Sequence, residues 1–79
     1  IEKPHFEVSI YPNPVADFLN VNGANLNKIE KAELFDFTGK LVLEVNKPFI
    51  LKNNLNVTSL SPGIYVLKLG ETSQKFIKK

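Results

Sequence analysis

Hydrophobic and polar residues alternate along most of this chain, in short runs separated by residues that favour turns. The clearest run covers residues 64–69, where both sets of alternating positions are apolar or aromatic apart from Lys68. It directly follows Pro62-Gly63, and because proline fixes φ while glycine accepts a positive φ, this pair predicts a sharp turn into a strand. Tyr65 stands two residues beyond the glycine, where immunoglobulin-like folds place a tyrosine corner. The pattern therefore predicts a strand packed inside a sandwich.

The same alternation predicts short strands elsewhere in the chain. The predicted strands cover residues 6–10, 17–22, 28–37, 41–45, 64–69 and 72–78, and residues 48–51 and 54–57 are shorter strand candidates. The two prolines of Tyr11-Pro12-Asn13-Pro14 remove backbone donors and end the first strand. A helix over residues 27–34 is an alternative, but Thr38-Gly39 predicts a hairpin turn, which requires a strand before it. About seven short strands without a convincing helix predict an all-β, antiparallel sandwich.

The composition allows a small core without covalent support. The chain has 79 residues, of which 43% are hydrophobic, and it has no cysteine. A chain of this length forms one domain of modest stability, because no disulfide contributes. We expect Phe6, Phe35, Phe37 and Phe49 to fill the core, and Tyr11, held by the proline after it, to be the best candidate for an exposed aromatic residue.

The charge pattern excludes some partners and points to the end of the chain. The net charge is only +2, and the chain has no arginine, which argues against nucleic-acid binding. The positive excess is concentrated at Lys75, Lys78 and Lys79. No apolar run approaches the roughly 20 residues that cross a bilayer. Residues 1–5 are typical of the end of a linker, and the absence of methionine indicates a piece of a larger protein.

Residues that could perform catalysis or bind a metal are sparse. His5 is the only histidine, and with no cysteine present it has no partner for nucleophilic catalysis. Asn13, Asp17 and Asp36 could offer oxygen ligands to calcium near strand ends, but the chain lacks an Asp-x-Asp-x-Asp-Gly loop. The glycines lie in separate turns rather than in a phosphate-binding loop. We therefore expect no enzymatic activity, no cofactor and no metal.

The last strand is not explained by folding alone. Successive residues of a strand point to opposite faces, so Phe76 and Ile77 cannot both face the core, and one of them is expected to be exposed. An exposed apolar residue among Lys75 and Lys78 is either part of an edge strand protected by charge or a docking surface for a partner. The sequence leaves both alternatives open.

Five motifs, spread over nearly the whole chain, together carry a resemblance to a known family. They are Tyr11-Pro12-Asn13-Pro14, Asp17-Phe18-Leu19-Asn20-Val21, Glu33-Leu34-Phe35-Asp36-Phe37-Thr38-Gly39-Lys40, Leu60-Ser61-Pro62-Gly63-Ile64-Tyr65 and Lys75-Phe76-Ile77-Lys78. In this order and spacing they resemble the type A C-terminal sorting domain of cargo proteins of the type IX secretion system of Bacteroidetes. The chain departs from the family's pattern in one extra lysine, Lys79, after the last motif.

This resemblance implies a fold, a role and a set of partners. It implies an immunoglobulin-like sandwich over residues 6–79, preceded by the end of a linker from an upstream cargo domain at residues 1–5. The implied role is a non-catalytic address for export through the periplasm to the outer membrane, cell surface or medium. The implied partners are an outer-membrane β-barrel shuttle and a sortase-like protease that cleaves before the domain. A weak homodimer through an edge strand stays open.

The resemblance also implies which residues carry the signal. Lys75, Phe76, Ile77 and Lys78 are expected to contact the translocon. A second group is expected to hold the signal in shape: Pro12, Asn13, Pro14, Gly39, Pro62, Gly63 and Tyr65. The alternative function is an accessory adhesion or carbohydrate-binding sandwich of a secreted protein, with Tyr11 or another exposed aromatic residue carrying the affinity.

Overall fold

A computed structural model describes residues 7–79 and shows an all-β fold. The strands are β1 (Val8–Tyr11), β2 (Phe18–Gly23), β3 (Lys31–Asp36), β4 (Leu41–Asn46), β5 (Asn54–Asn56), β6 (Gly63–Leu69) and β7 (Thr72–Lys78). The predicted first strand began at Phe6, which lies outside the described residues together with His5 and the predicted linker.

The strands form two antiparallel sheets that pack face to face. The smaller sheet has the order β1-β2-β5, and the larger has the order β4-β3-β6-β7. Leu19 of β2 and Leu67 of β6 are fully buried in the shared core. The predicted antiparallel sandwich is therefore confirmed, and β7 lies at one edge of the larger sheet as expected.

The core follows from the alternation of side chains along the strands. Its fully or nearly fully buried hydrophobic residues are Val15, Leu19, Val21, Leu26, Ile29, Ala32, Leu34, Phe49, Leu55, Val57, Tyr65, Leu67, Leu69 and Phe76. In β2 and β6 these are every second residue, so each strand turns one face inward and the other outward. The outward face of β6 is partly exposed, contrary to the expectation that both of its faces are buried.

The chain between β4 and β5 does not form the strand predicted at residues 48–51. β4 belongs to the larger sheet and β5 to the smaller one, so this segment must cross between the sheets. Lys47 adopts a positive φ of 46°, and the next residue, Pro48, has no backbone N–H to donate to a sheet. Phe49 is nevertheless buried as predicted, and it closes this end of the core.

Two further details differ from the sequence-based expectations. Phe37 was expected in the core but is 81% exposed, because it lies in the hairpin turn beyond the end of β3. The predicted third strand began at residue 28, but a 3₁₀ helix (Leu26–Lys28) comes first and β3 begins at Lys31. This short helix buries Leu26 and so anchors the connection between the two sheets.

Candidate functional site

A tyrosine corner fixes the turn that leads into β6. The Tyr65 hydroxyl donates a hydrogen bond to the backbone carbonyl of Ser61 at 2.6 Å. The Tyr65 ring also stacks on Phe76 of the neighbouring strand, with ring centroids 5.7 Å apart. The tyrosine corner that the sequence predicts at Tyr65 is therefore confirmed. The Tyr65 side chain therefore stabilises the turn through its hydroxyl and contacts the last strand through its ring.

The segment that follows β1 covers part of the free edge of β7. Val15 forms a parallel bridge with Lys78, its N–H donating to the Ile77 carbonyl and its carbonyl accepting from the Lys79 N–H, both at 2.8 Å. The side-chain oxygen of Asn13 accepts a hydrogen bond from the Ile77 N–H at 2.9 Å. We call residues 13–15 the edge clip. Its hydrogen bonds fix the end of β7 against the segment between β1 and β2.

The sequence pattern predicts only part of this clip. The prolines of Tyr11-Pro12-Asn13-Pro14 correctly predict the end of the first strand, but no pattern assigns a partner to residues 13–15. The signal that could have pointed to one is Val15, a large apolar residue in an otherwise predicted loop, which the structure shows to be completely buried. Both Tyr11-Pro12 and Asn13-Pro14 are cis peptide bonds.

The final strand divides its side chains between the two faces. Phe76 is completely buried and Lys78 is 8% exposed, whereas Ile77 is 45% exposed and Lys75 is also exposed. The expectation that one of Phe76 and Ile77 is exposed is therefore confirmed. The ammonium of Lys78 donates a hydrogen bond to the backbone carbonyl of Lys79 at 3.1 Å.

The outward residues of β7 lie beside outward residues of β6. Ile77 is opposite Ile64, and Lys75 is opposite Val66 in the antiparallel register. Ile64 is 46% exposed, so the two isoleucines form an apolar pair on the surface. We call Ile64, Val66, Lys75 and Ile77 the hairpin face. The sequence pointed to Lys75 and Ile77 but missed Ile64, because the apolar positions on both sides of β6 predicted a strand buried on both faces.

The rest of this outer surface changes from apolar to charged. Next to the hairpin face, Phe35 of β3 lies opposite Val66 and is half-buried on this outer surface, so the expectation that it fills the core is wrong. Farther along the same sheet, Lys31 forms an ion pair with Glu44, with the nitrogen and oxygen 3.2 Å apart. The apolar residues therefore gather at the end of the sheet that carries the tyrosine corner.

Comparison with known families gives one match that covers most of the chain. The model of the secretion system C-terminal sorting domain matches residues 9–79. The chain belongs to this family. The resemblance to type IX sorting domains is confirmed, and no curated protein gives a significant match.

Membership in the sorting-domain family establishes a general role. A type IX sorting domain belongs to a cargo protein, interacts with the secretion machinery and directs export to the cell surface or medium. Such a signal role favours a non-catalytic domain. Within residues 7–79, no group of three or more histidine, cysteine or acidic residues could hold a metal ion. No helix in this part of the sorting domain is long and apolar enough to span a bilayer.

The hairpin turn between β3 and β4 lies at the same end of the larger sheet as the corner, since Asp36 pairs with Tyr65. The Asp36 carboxylate accepts hydrogen bonds from the Thr38 hydroxyl at 2.5 Å, the Thr38 N–H at 2.9 Å and the Lys40 N–H at 3.0 Å. These bonds, the Thr38 hydroxyl first, hold the pKa of Asp36 below its ordinary value of 3.8. Gly39 has a positive φ of 90°, as its turn requires.

The sorting domain also contains a cleft between β1, at the edge of the smaller sheet, and β7, at the edge of the larger sheet. It has a volume of about 730 Å³ and is lined by residues 7–9, 22–23 and 71–74. The Gln74 side-chain amide donates to the Val8 carbonyl at 3.0 Å and so ties β7 to β1 near this cleft. Together with the edge clip, this bond holds β7 to the start of the sandwich at two places.

Proposed function

We propose that this domain is a type IX secretion signal whose hairpin face is the surface read by the translocon at the outer membrane. The observation that carries the proposal is the position of Ile64 beside Ile77, both nearly half exposed on an edge hairpin. Exposed apolar residues beside a positive charge are typical of a docking site. The recognised residues are then Lys75 and Ile77, with Ile64 and Val66 added from β6.

The four terminal residues named from the sequence have two different roles in this proposal. Lys75 and Ile77 contact the partner, whereas Phe76 and Lys78 face inward and pack β7 against the rest of the sandwich. The corner and the edge clip keep β7 in register, which presents Lys75 and Ile77 at fixed positions. Tyr65 and Asn13 are therefore supporting residues that do not touch the partner.

Removal of the domain after export is a second part of the proposal. A sortase-like protease cleaves before the domain and releases the upstream cargo. The first described strand begins at Val8, and Glu7 before it is exposed. Cleavage on the N-terminal side of Glu7 would leave every bond of the edge clip and the corner intact, so the signal could remain folded until the cut is made.

The test is a secretion assay with point variants that leave the sandwich intact. Residues 1–79 are fused behind a periplasm-directed reporter in a host with a type IX system, and Ile77→Glu is compared with the unchanged fusion. We expect Ile77→Glu to abolish export of the reporter, because it places a charge in the apolar pair. Leu51→Glu is the matched control, since Leu51 is 95% exposed and lies outside the hairpin face.

Folding is measured separately, so that a loss of export can be interpreted. The purified variants are compared by circular dichroism and thermal unfolding, and both are expected to remain folded. If folded Ile77→Glu is exported as well as the unchanged fusion, the hairpin face is not the recognised surface. Deletion of residues 75–79 is a weaker test, because it also removes the buried Phe76 and Lys78.

A further inference from the structure

We propose that the outer face of the smaller sheet binds a neutral oligosaccharide, a function separate from sorting. The residues that carry it are Tyr11, Phe18, Asn20, Asn54 and Asn56, which we call the amide face. They lie on β1, β2 and β5, on the side opposite to the buried Leu19, Val21 and Leu55.

The amide face differs from the rest of the surface in its lack of charge. The strands Val8–Tyr11, Phe18–Gly23 and Asn54–Asn56 contain no charged residue. The outer face of the larger sheet carries the ion pair of Lys31 with Glu44, and Lys75 at its edge. A neutral face offers no attraction to phosphate, anionic lipid or an acidic peptide. Its chemistry is complementary to a neutral, polar ligand.

The strand register places the amides in a row next to an aromatic ring. Tyr11 pairs with Asn20, and Asn20 pairs with Asn54, so the three side chains follow one line across the sheet. With neighbouring strands about 4.8 Å apart, this row spans roughly 10 Å. Each amide group carries both a donor and an acceptor, which is the combination that sugar hydroxyls require. The row is comparable in length to two linked hexose rings.

Two exposed aromatic side chains complete the site. Tyr11 is 54% exposed and Phe18 is 46% exposed. Phe18 lies two residues before Asn20 on β2, so it is a diagonal neighbour of Tyr11 at about 7–8 Å. Aromatic rings pack against the C–H face of a sugar ring while the amides bind its hydroxyls.

One atom in the row lacks the hydrogen bond that its burial calls for. The Asn54 side-chain oxygen is buried and has no hydrogen-bond partner among residues 7–79. A buried acceptor without a partner costs free energy. A sugar hydroxyl that reached this oxygen would supply the missing hydrogen bond. Asn56 is different, because its oxygen already accepts from the Thr58 N–H and hydroxyl at 3.0 and 2.6 Å.

The test is an NMR titration of the 79-residue chain, labelled with nitrogen-15, against defined sugars. The neutral probes are cellohexaose and mannohexaose at millimolar concentration, and the anionic comparison is hexagalacturonate. We expect at least one neutral probe to shift the backbone and side-chain amides of Asn20 and Asn54. Tyr11→Ala and Phe18→Ala are each expected to weaken that binding about tenfold. Phe37→Ala is the matched control, because Phe37 is exposed outside the amide face.

The outcomes separate this proposal from its alternatives and from sorting. Asn20→Asp keeps the size of the side chain but adds a charge, and it is expected to abolish binding even if an alanine variant unfolds. The proposal is overturned if neither neutral probe shifts the amide face, or if hexagalacturonate shifts it equally. Shifts that depend on protein concentration without sugar would mean that a second copy covers the face. No secretion host is involved, so the result is independent of the proposed sorting role.

Discussion

The side-chain oxygen of Asn13 accepts a hydrogen bond from the backbone N–H of Ile77 at 2.9 Å, although the two residues are 64 positions apart in the sequence. This bond and the bridge at Val15 join the segment after the first strand to the last strand. The position of this end of β7 therefore depends on residues 13–15, which lie far from it in the sequence. A change in either segment is expected to affect the other.

The first prediction concerns the loss of the hydrogen bond between Asn13 and Ile77. In Asn13→Ala, the Ile77 N–H loses its partner, and we expect a loss of about 0.5–1.5 kcal/mol in the free energy of unfolding. Hydrogen exchange at the Ile77 amide should become faster. Urea unfolding and exchange measured by NMR check both effects. Asn27→Ala, at an exposed position of the 3₁₀ helix, is the control, and equal effects in the two variants would contradict the role of the clip.

The second prediction concerns the tyrosine corner. Tyr65→Phe removes the hydroxyl that donates to the Ser61 carbonyl at 2.6 Å but keeps the ring that stacks on Phe76. We expect a loss of about 0.5–1.5 kcal/mol, because one partly buried hydrogen bond is deleted. For a domain of this size that corresponds to a fall in Tm of about 4–8 °C per kcal/mol. Tyr11→Phe, at an exposed tyrosine, should leave Tm nearly unchanged.

Local pattern predicted the parts of the fold that depend on neighbouring residues. The existence of strand β6, the turn at Thr38-Gly39 and the corner at Tyr65 each follow from a few adjacent side chains, and each was predicted correctly, although the outward face of β6 is more exposed than its apolar residues predict. Alternation in β7 also indicated that only one of Phe76 and Ile77 could be buried. These features need no knowledge of which strands pair.

The features that were missed depend on contacts between distant segments. The bridge of Val15 with β7 joins residues from opposite ends of the chain, and no local pattern specifies it. The exposure of Ile64 depends on which face of β6 the smaller sheet covers. Residues 48–51 have the composition of a strand, but their position between the two sheets leaves them no strand to pair with. In the hairpin face, Lys75 and Ile77 could therefore be predicted from the sequence, whereas the exposure of Ile64 could not.

The third prediction separates the buried and exposed residues of β7. Phe76→Ala should cost about 3–5 kcal/mol, because a completely buried aromatic ring is removed and leaves a cavity. Ile77→Ala should cost much less, about 1 kcal/mol or below, since Ile77 is 45% exposed. Chemical unfolding of both variants makes the comparison. Similar losses for the two variants would show that β7 is not oriented as described.

The fourth prediction compares two glycines of the proposed signal. Gly39 has a positive φ of 90°, so Gly39→Ala should cost about 1–2 kcal/mol. Gly63 was expected to have a positive φ in its turn, but it begins strand β6 and does not. An added Cβ at Gly63 would meet only the Tyr65 ring, at 3.8 Å. Gly63→Ala should therefore change the stability by less than about 0.5 kcal/mol, and a larger loss in urea unfolding would contradict this.

The fifth prediction concerns the pH dependence of the hairpin turn. Hydrogen bonds from the Thr38 hydroxyl and from the backbone of Lys40 and Thr38 lower the pKa of Asp36 in the folded state below 3.8. The folded chain therefore favours the ionised carboxylate. Its contribution to stability is fully present well above pH 3.8 and is lost as the pH falls through the folded-state pKa.

Asp36→Asn isolates this contribution, because the amide cannot ionise. We expect the difference in unfolding free energy between the unchanged chain and Asp36→Asn to be constant near neutral pH and to shrink in acid. Urea unfolding across this range measures it, and an NMR titration of the Asp36 carboxyl carbon gives the pKa directly. Glu71→Gln, in the turn between β6 and β7 at the other end of the sheet, is the control. A difference that stays constant into acid, or an Asp36 pKa above 3.8, would mean that the Thr38 and Lys40 bonds do not favour the charged form.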